Sequence, residues 1–159
     1  MRTYHRLIYL FIFLSTCLFT PQSIAKDLYV SLSGDNSLTH NEVTIDTPWK
    51  TLIHAIYNLK EGDTLHIRAG TYTPQHSLWT KNDYTSKQKG NPSENMNAES
   101  GTASNRVTIK PYNDERVIID LVNVGKFIDL DNVHYWTFED LEIINGSSAF
   151  FVGYDTSTT

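Results

Sequence analysis

Cysteine is all but missing from this chain: Cys17 is the single one in 159 residues, and it lies in the apolar segment that opens the sequence. A chain that loses that segment on export has no disulfide and no cysteine nucleophile, so packing and backbone hydrogen bonds must hold it together. Basic residues are few as well. Thirteen Lys and Arg stand against eighteen Asp and Glu, for a net charge of −5, and they form no basic block. That balance argues against a phosphate-backbone partner, and no nucleic-acid partner is expected. After the opening segment there is no second long apolar run, so no membrane association is expected once it is removed. No Gly-x-Ser-x-Gly, phosphate loop, dinucleotide glycine pattern or His-Glu-x-x-His occurs, which disfavours elbow serine hydrolases, nucleotide enzymes and that class of zinc enzyme. What the sequence does have is 40% hydrophobic residues, enough for a packed core in a chain of one-domain length.

Residues 1–25 read as a signal peptide. Arg2 and Arg6 supply the basic start, Leu7 to Phe19 the apolar stretch, and Ser23 and Ala25 the small residues at −3 and −1, with cleavage before Lys26. The expected destination is secreted, extracellular or periplasmic. A lipoprotein alternative runs through Leu14-Ser15-Thr16-Cys17 with Cys17 acylated, although Thr16 is bulkier than that site usually takes. Either route removes two arginines and no acid, so the mature chain is more acidic than the whole.

Residues 26–73 read as an amino-terminal cap of strand, helix and strand. Asp27 to Ser33 is β-rich and runs into the turn cluster Gly34-Asp35-Asn36-Ser37. A helix is predicted over 48–60, with Thr47 as N-cap and Pro48 at the first helical position. Trp49, Leu52, Ile53, Ile56 and Leu59 form its apolar face, and Gly62 suits the left-handed exit. Thr64 to Thr73 alternates apolar and polar residues, a strand with a bend at Gly70. Residues 74–105 read as a long polar loop, a length often functional in a compact domain. Trp79 and Tyr84 in it suit either stacking on sugar rings or, as preferred, folding the loop back onto the body.

Residues 106–159 are periodic. RVTIKP, RVIID and KFIDL are three short strand-like runs, followed in the same order by HYWTFE, LEIIN and AFFVGY. Matching the two sets pairs Ile109 with Thr137 or Phe138, Ile119 with Ile144, and Ile128 with Phe151 or Val152. The offset, roughly 24 to 29 residues, is one turn of a solenoid with three strands per rung. Asp120 and Asn145 fall at matching positions, where Asp and Asn tolerate tight turns and can bond from rung to rung. The fold class expected is all-β, a parallel β-helix with a capping helix over its first edge. The chain stops directly after a strand, so it reads as the first rungs of a longer solenoid, open at the C-terminal end, and residues 26–159 alone are expected to fold poorly.

The runs YVSLSGDNS, TPWKTLIHAI, GDTLHIRAGTY, SGTASNRVTIKPYNDERVIID and YWTFEDLEIIN resemble the opening of secreted right-handed parallel β-helix proteins. The likeness is to pectate lyase-like polysaccharide lyases, in particular family 9 pectate lyases and family 6 alginate and chondroitin lyases. The resemblance implies cleavage of an acidic polysaccharide by β-elimination, a lysine base, calcium held by aspartates as cofactor, and a monomer. In that family the catalytic groups sit in rungs this sequence does not reach, so no catalytic or cofactor-binding residue is carried over onto a numbered position.

Several local groups of residues are candidates beside the resemblance. Asp120, Asp129 and Asp131 could hold calcium, yet turn aspartates that cap backbone and face water account for them better. Glu139, Asp140 and Glu142 read as a solvated acidic face without a basic partner, and Lys110 and Lys126 as surface charge. His40, His54, His66, His76 and His134 lack the close spacing of a zinc site. The expectation is a secreted calcium-dependent polysaccharide lyase acting on pectate or alginate. The alternatives are a non-catalytic surface β-helix that binds carbohydrate or mediates adhesion, and a carboxylate hydrolase of the polygalacturonase kind.

Overall fold

The structure is a computed structural model that describes residues 24–75, 78–79, 99–130 and 133–151; of Leu78, Trp79, Asp129 and Phe151 it describes the backbone alone. The period-two alternation dictates the elements. In β1 (Asp27–Val30), β2 (Thr64–Ile67) and β5 (Val107–Pro111), every second residue is buried: Leu28 and Val30, Leu65 and Ile67, then Val107, Ile109 and Pro111. These strands and β8 (Trp136–Phe138) form one parallel sheet in the order β1-β2-β5-β8. Its register stacks Leu28 on Leu65, Leu65 on Ile109, and Ile109 on Phe138.

Two further parallel sheets repeat the arrangement. β3 (Gly70–Tyr72), β6 (Val117–Asp120) and β9 (Glu142–Ile144) make the second; β4 (Leu78–Trp79), β7 (Lys126–Asp129) and β10 (Ser148–Phe151) make the third. Each successive run of three strands therefore lays one strand on each sheet. Val107 lies opposite Trp136, Ile118 opposite Glu142, and Lys126 opposite Ser148. Stacked side chains from the three sheets close on one core in which Leu28, Leu65, Ile67, Ile109, Ile119, Leu121, Phe127 and Ile128 are fully enclosed. Each such side chain contributes about 1.5–3 kcal/mol on burial.

Three sequence-based expectations need correction. Of the two partners expected for Ile109, Phe138 is observed and Thr137 faces Thr108, but Ile119 lies opposite Ile143 and not Ile144, and Ile128 opposite Phe150 and not Phe151 or Val152. The turns between strands differ in length, and a slip of one residue changes which face a side chain takes. The helix is α1 (Leu52–Tyr57), shorter than 48–60, and its N-cap is Thr51 and not Thr47. The reason is that the backbone before it is already spent. Trp49 N–H donates to the Tyr29 carbonyl, the Trp49 carbonyl accepts from Ser31, and the Pro48 carbonyl accepts from Asp35, so this segment bridges to Val30 at the edge of β1. Thr47 Oγ1 donates to the Glu42 carbonyl at 2.8 Å. Finally, the run 64–73 is two strands, because the chain turns a corner at Arg68 and Ala69. Gly70 takes φ 148° there, and a Cβ on it would meet Leu32 Cδ1 at 2.8 Å.

Close approach explains another glycine. A Cβ on Gly34 would sit 2.2 Å from the Trp49 carbonyl oxygen, so only glycine lets the turn after β1 lie against the Pro48–Trp49 backbone. Trp49 itself is fully buried, and its Nε1 donates to the Leu38 carbonyl at 2.8 Å. Inside the predicted polar loop, Leu78–Trp79 pairs in parallel with β7.

Candidate functional site

The same alternation that buries the apolar residues points the others outward. On the first sheet the outward positions are Asp27 and Tyr29 of β1, Thr64 and His66 of β2, and Thr108 and Lys110 of β5. Register places Tyr29, His66 and Lys110 side by side across three strands. The Tyr29 and His66 rings stack at 5.1 Å, and the Tyr112 ring meets both edge-on at 5.7 and 5.8 Å. At the corner that follows, the Arg68 guanidinium lies 5.2 Å from the Tyr112 ring centroid.

Electrostatics fix this strip in place. Arg68 Nε donates to both oxygens of Glu115 at 3.2 and 3.1 Å, and Ala69 N–H donates to Glu115 Oε2 at 2.6 Å. The Arg68 hydrogen bond holds the Glu115 carboxyl below the usual carboxylate range, and in return the Glu115 carboxylate raises Arg68. Burial, with the Asp27 charge adding to it, raises the Tyr29 phenol. His66 Nε2 bonds Asp27 Oδ1 at 2.9 Å. The result is a row of three aromatic rings flanked by two cations, Arg68 and Lys110. Flat rings offer apolar faces to the C–H face of a sugar, and fixed cations attract carboxylates.

A second concavity lies beside α1. It is an apolar cleft of about 160 Å³ between Leu32, Leu52, Ile53, Tyr72 and Pro74, with Lys50 the only charged residue among the described ones that line it.

Of the residues singled out from sequence, His66 and Lys110 lie in this strip, and the other described ones fall elsewhere. Asp120 Oδ1 accepts from Val122 N–H at 3.1 Å and from Asn145 Nδ2 at 2.9 Å, so it serves the turn and the neighbouring rung. Asp131 lies outside the described residues, as do His76 and Tyr84, and the side chains of Asp129 and Trp79 are not described. Among the described residues no three His, Cys, Asp or Glu side chains converge, so calcium is assigned no residues here. Glu139 and Asp140 are exposed, in keeping with a solvated face. Glu142 corrects that reading: Arg116 donates to its two oxygens at 3.1 Å each across the second sheet. Lys110 lies in the aromatic strip, while Lys126 opens β7 opposite Ser148. His54 meets Trp49 edge-on at 5.5 Å, and the backbone of His134 anchors Ser100 and Gly101. Tyr29, Arg68 and Tyr112 were not among the sequence candidates. The signal was present in the outward phase of strands whose inward phase is apolar, but it shows only once the strands are in register.

Comparison with known proteins adds kinship. No family model matches the chain. It is 33% identical to the pectate lyase PEL9 of Emericella nidulans over an alignment of 141 positions, covering 79% of this chain and 30% of that protein. Among solved structures it resembles a rhamnogalacturonan lyase, with a TM-score of 0.54 and 16% identity over 75% of this chain and 28% of the other. The chain thus spans less than a third of the length of either relative.

Proposed function

Proceeding from a chain related to the pectate lyase-like polysaccharide lyases, we propose that the protein is a secreted lyase that cleaves uronate-containing polysaccharide, pectate first, by β-elimination. The three parallel sheets are then the faces of a right-handed parallel β-helix, and each run of three strands is one of its rungs. In this reading α1 and the Trp49 bridge cover the edge at β1 that would otherwise recruit foreign strands. The observation that carries the reading is the sequence kinship with a pectate lyase across most of this chain.

In β-elimination a base takes the C5 proton of a uronate and the C4 oxygen leaves, so a new double bond forms without water entering. Calcium, as the resemblance implies, supplies charge neutralisation at the uronate carboxylate. The described residues contribute binding. Tyr29 and Tyr112 offer ring surface to a sugar, with the largely buried His66 packed against both, while Arg68 and Lys110 draw in the acidic polymer. The Arg68–Glu115 pair orients the guanidinium over Tyr112 so that it does not collapse onto the sheet.

The test is incubation of the full-length protein with polygalacturonate, alginate and rhamnogalacturonan. Ultraviolet absorbance and mass spectrometry then read the unsaturated uronide. Product from polygalacturonate that disappears with a chelator supports the reading. Binding with no product from any polymer favours the non-catalytic alternative, and saturated products favour a hydrolase.

A further inference from the structure

Asp63 is the one charged side chain fully enclosed among the described residues, at 0% exposure. Its Oδ1 accepts from the backbone N–H of Lys26 at 3.0 Å; its Oδ2 accepts from Lys60 N–H at 2.8 Å and lies 2.6 Å from His40 Nε2. None of these contacts brings a fixed positive charge. The Lys26 ammonium is turned away to the carbonyls of His40 and Asn41 at 3.1 and 3.4 Å. His40 Nδ1 is buried and has no partner among the described residues, so this ring is tied to the site through Nε2 alone. A buried carboxylate without a permanently charged partner is a costly arrangement that calls for a cation.

We infer that Asp63 is the receptor for the α-ammonium that export processing creates on Lys26. The inference rests on the reading of the chain as exported. Of the residues that would leave, the described Ile24 and Ala25 are exposed and occupy no space in the core. Hydrolysis by a signal peptidase breaks the Ala25–Lys26 C–N bond. Water's hydroxyl goes to the Ala25 carbonyl carbon and its proton to the Lys26 nitrogen, which takes up a further proton from solvent to become an ammonium. That nitrogen keeps its place, because the Lys26 carbonyl accepts from Thr64 N–H at 2.8 Å and Asp27 pairs with Thr64 in register. The neutral hydrogen bond to Asp63 thereby becomes an ion pair at the start of β1. Processing then does more than release the chain, since it installs the missing charge and fastens the first strand to the Lys60–Asp63 turn.

The test begins with the full-length protein carrying its own leader in an exporting host, followed by terminal sequencing and intact mass of the exported chain. Lys26 is the expected first residue. Retention inside the cell overturns the export reading and this inference with it, and a terminus elsewhere, including a lipidated Cys17, overturns the inference. Stability is then compared between chains starting at Lys26 and chains that keep Ser23-Ile24-Ala25, each with Asp63 and with Asp63→Asn. The extension lowers the folding constant about tenfold when Asp63 is present, the margin of a charged over a neutral hydrogen bond, and by less than twofold with Asn. Equal stability of the two Asp63 chains overturns the ion pair while leaving export intact. Should Asp63→Asn not fold, acylation of the α-amine by an amine-reactive ester decides. The Lys26 amine reacts at least tenfold more slowly in the folded chain than in urea; equal rates overturn the inference.

Discussion

The side-chain amide of Asn145 donates to the carboxylate of Asp120 across 2.9 Å, joining the turns after β9 and β6 on successive rungs. Asp120 also caps Val122 N–H, and Asn145 holds the left-handed φ of 56° that the turn demands. Three tasks are thus divided between two residues, and substitution can separate them.

Asp120→Ala removes both hydrogen bonds and is expected to cost about 1–3 kcal/mol in urea unfolding. Asn145→Ala loses one bond and adds left-handed strain, whereas Asn145→Gly loses the bond and relieves the strain. The order expected is therefore Asn145→Gly milder than Asn145→Ala. Equal losses for the two would show that the φ of Asn145 carries no cost.

Ile109 is the centre of the stacked column, between Leu65 and Phe138, and Lys110 beside it points outward. Ile109→Ala is expected to cost about 2–5 kcal/mol, and Lys110→Ala within about 0.5 kcal/mol. Denaturant midpoints at unchanged slope measure both.

Much of this architecture was legible in the sequence, because an inward Ile, Val or Leu at every second residue is a local signal. The grouping of three strands per repeat followed from it, as did Thr137 or Phe138 as the partner of Ile109, of which Phe138 is the one observed. Register on the second and third sheets did not, since it depends on how many residues each turn consumes. The start of α1 was hidden for a related reason: Pro48 and Trp49 look helical by spacing, but their backbone is claimed by β1. The pairs Arg116–Glu142 and Lys26–Asp63 join residues far apart in the chain, and no local pattern announces them.

The Tyr72 phenol is pushed up to about 12, chiefly by burial and further by the Glu115 carboxylate, with Arg68 opposing. The folded state therefore holds this proton more tightly than the unfolded chain, where the group titrates at about 10. The stability it contributes is complete below pH of about 10 and is lost as pH rises from there through about 12. Tyr72→Phe should remove that alkaline loss. At neutral pH it should cost ~1 kcal/mol, because the hydroxyl donates to the Arg68 carbonyl at 2.9 Å. Unfolding curves from neutral to alkaline pH check both signs.

Tyr112→Ala is expected to weaken the binding of uronate oligomers by about two- to tenfold, the worth of one aromatic contact, while the fold is kept. Calorimetric titration of the full-length protein with pectate fragments reads this. Unchanged affinity would remove the aromatic strip from the account of binding.

Product analysis of the full-length protein on polygalacturonate tests the proposed cleavage of uronate polymers by elimination. Elimination yields oligomers ending in an unsaturated uronide, each lighter by one water than its saturated counterpart. Saturated ends, or no shortening of any uronate polymer, would contradict it.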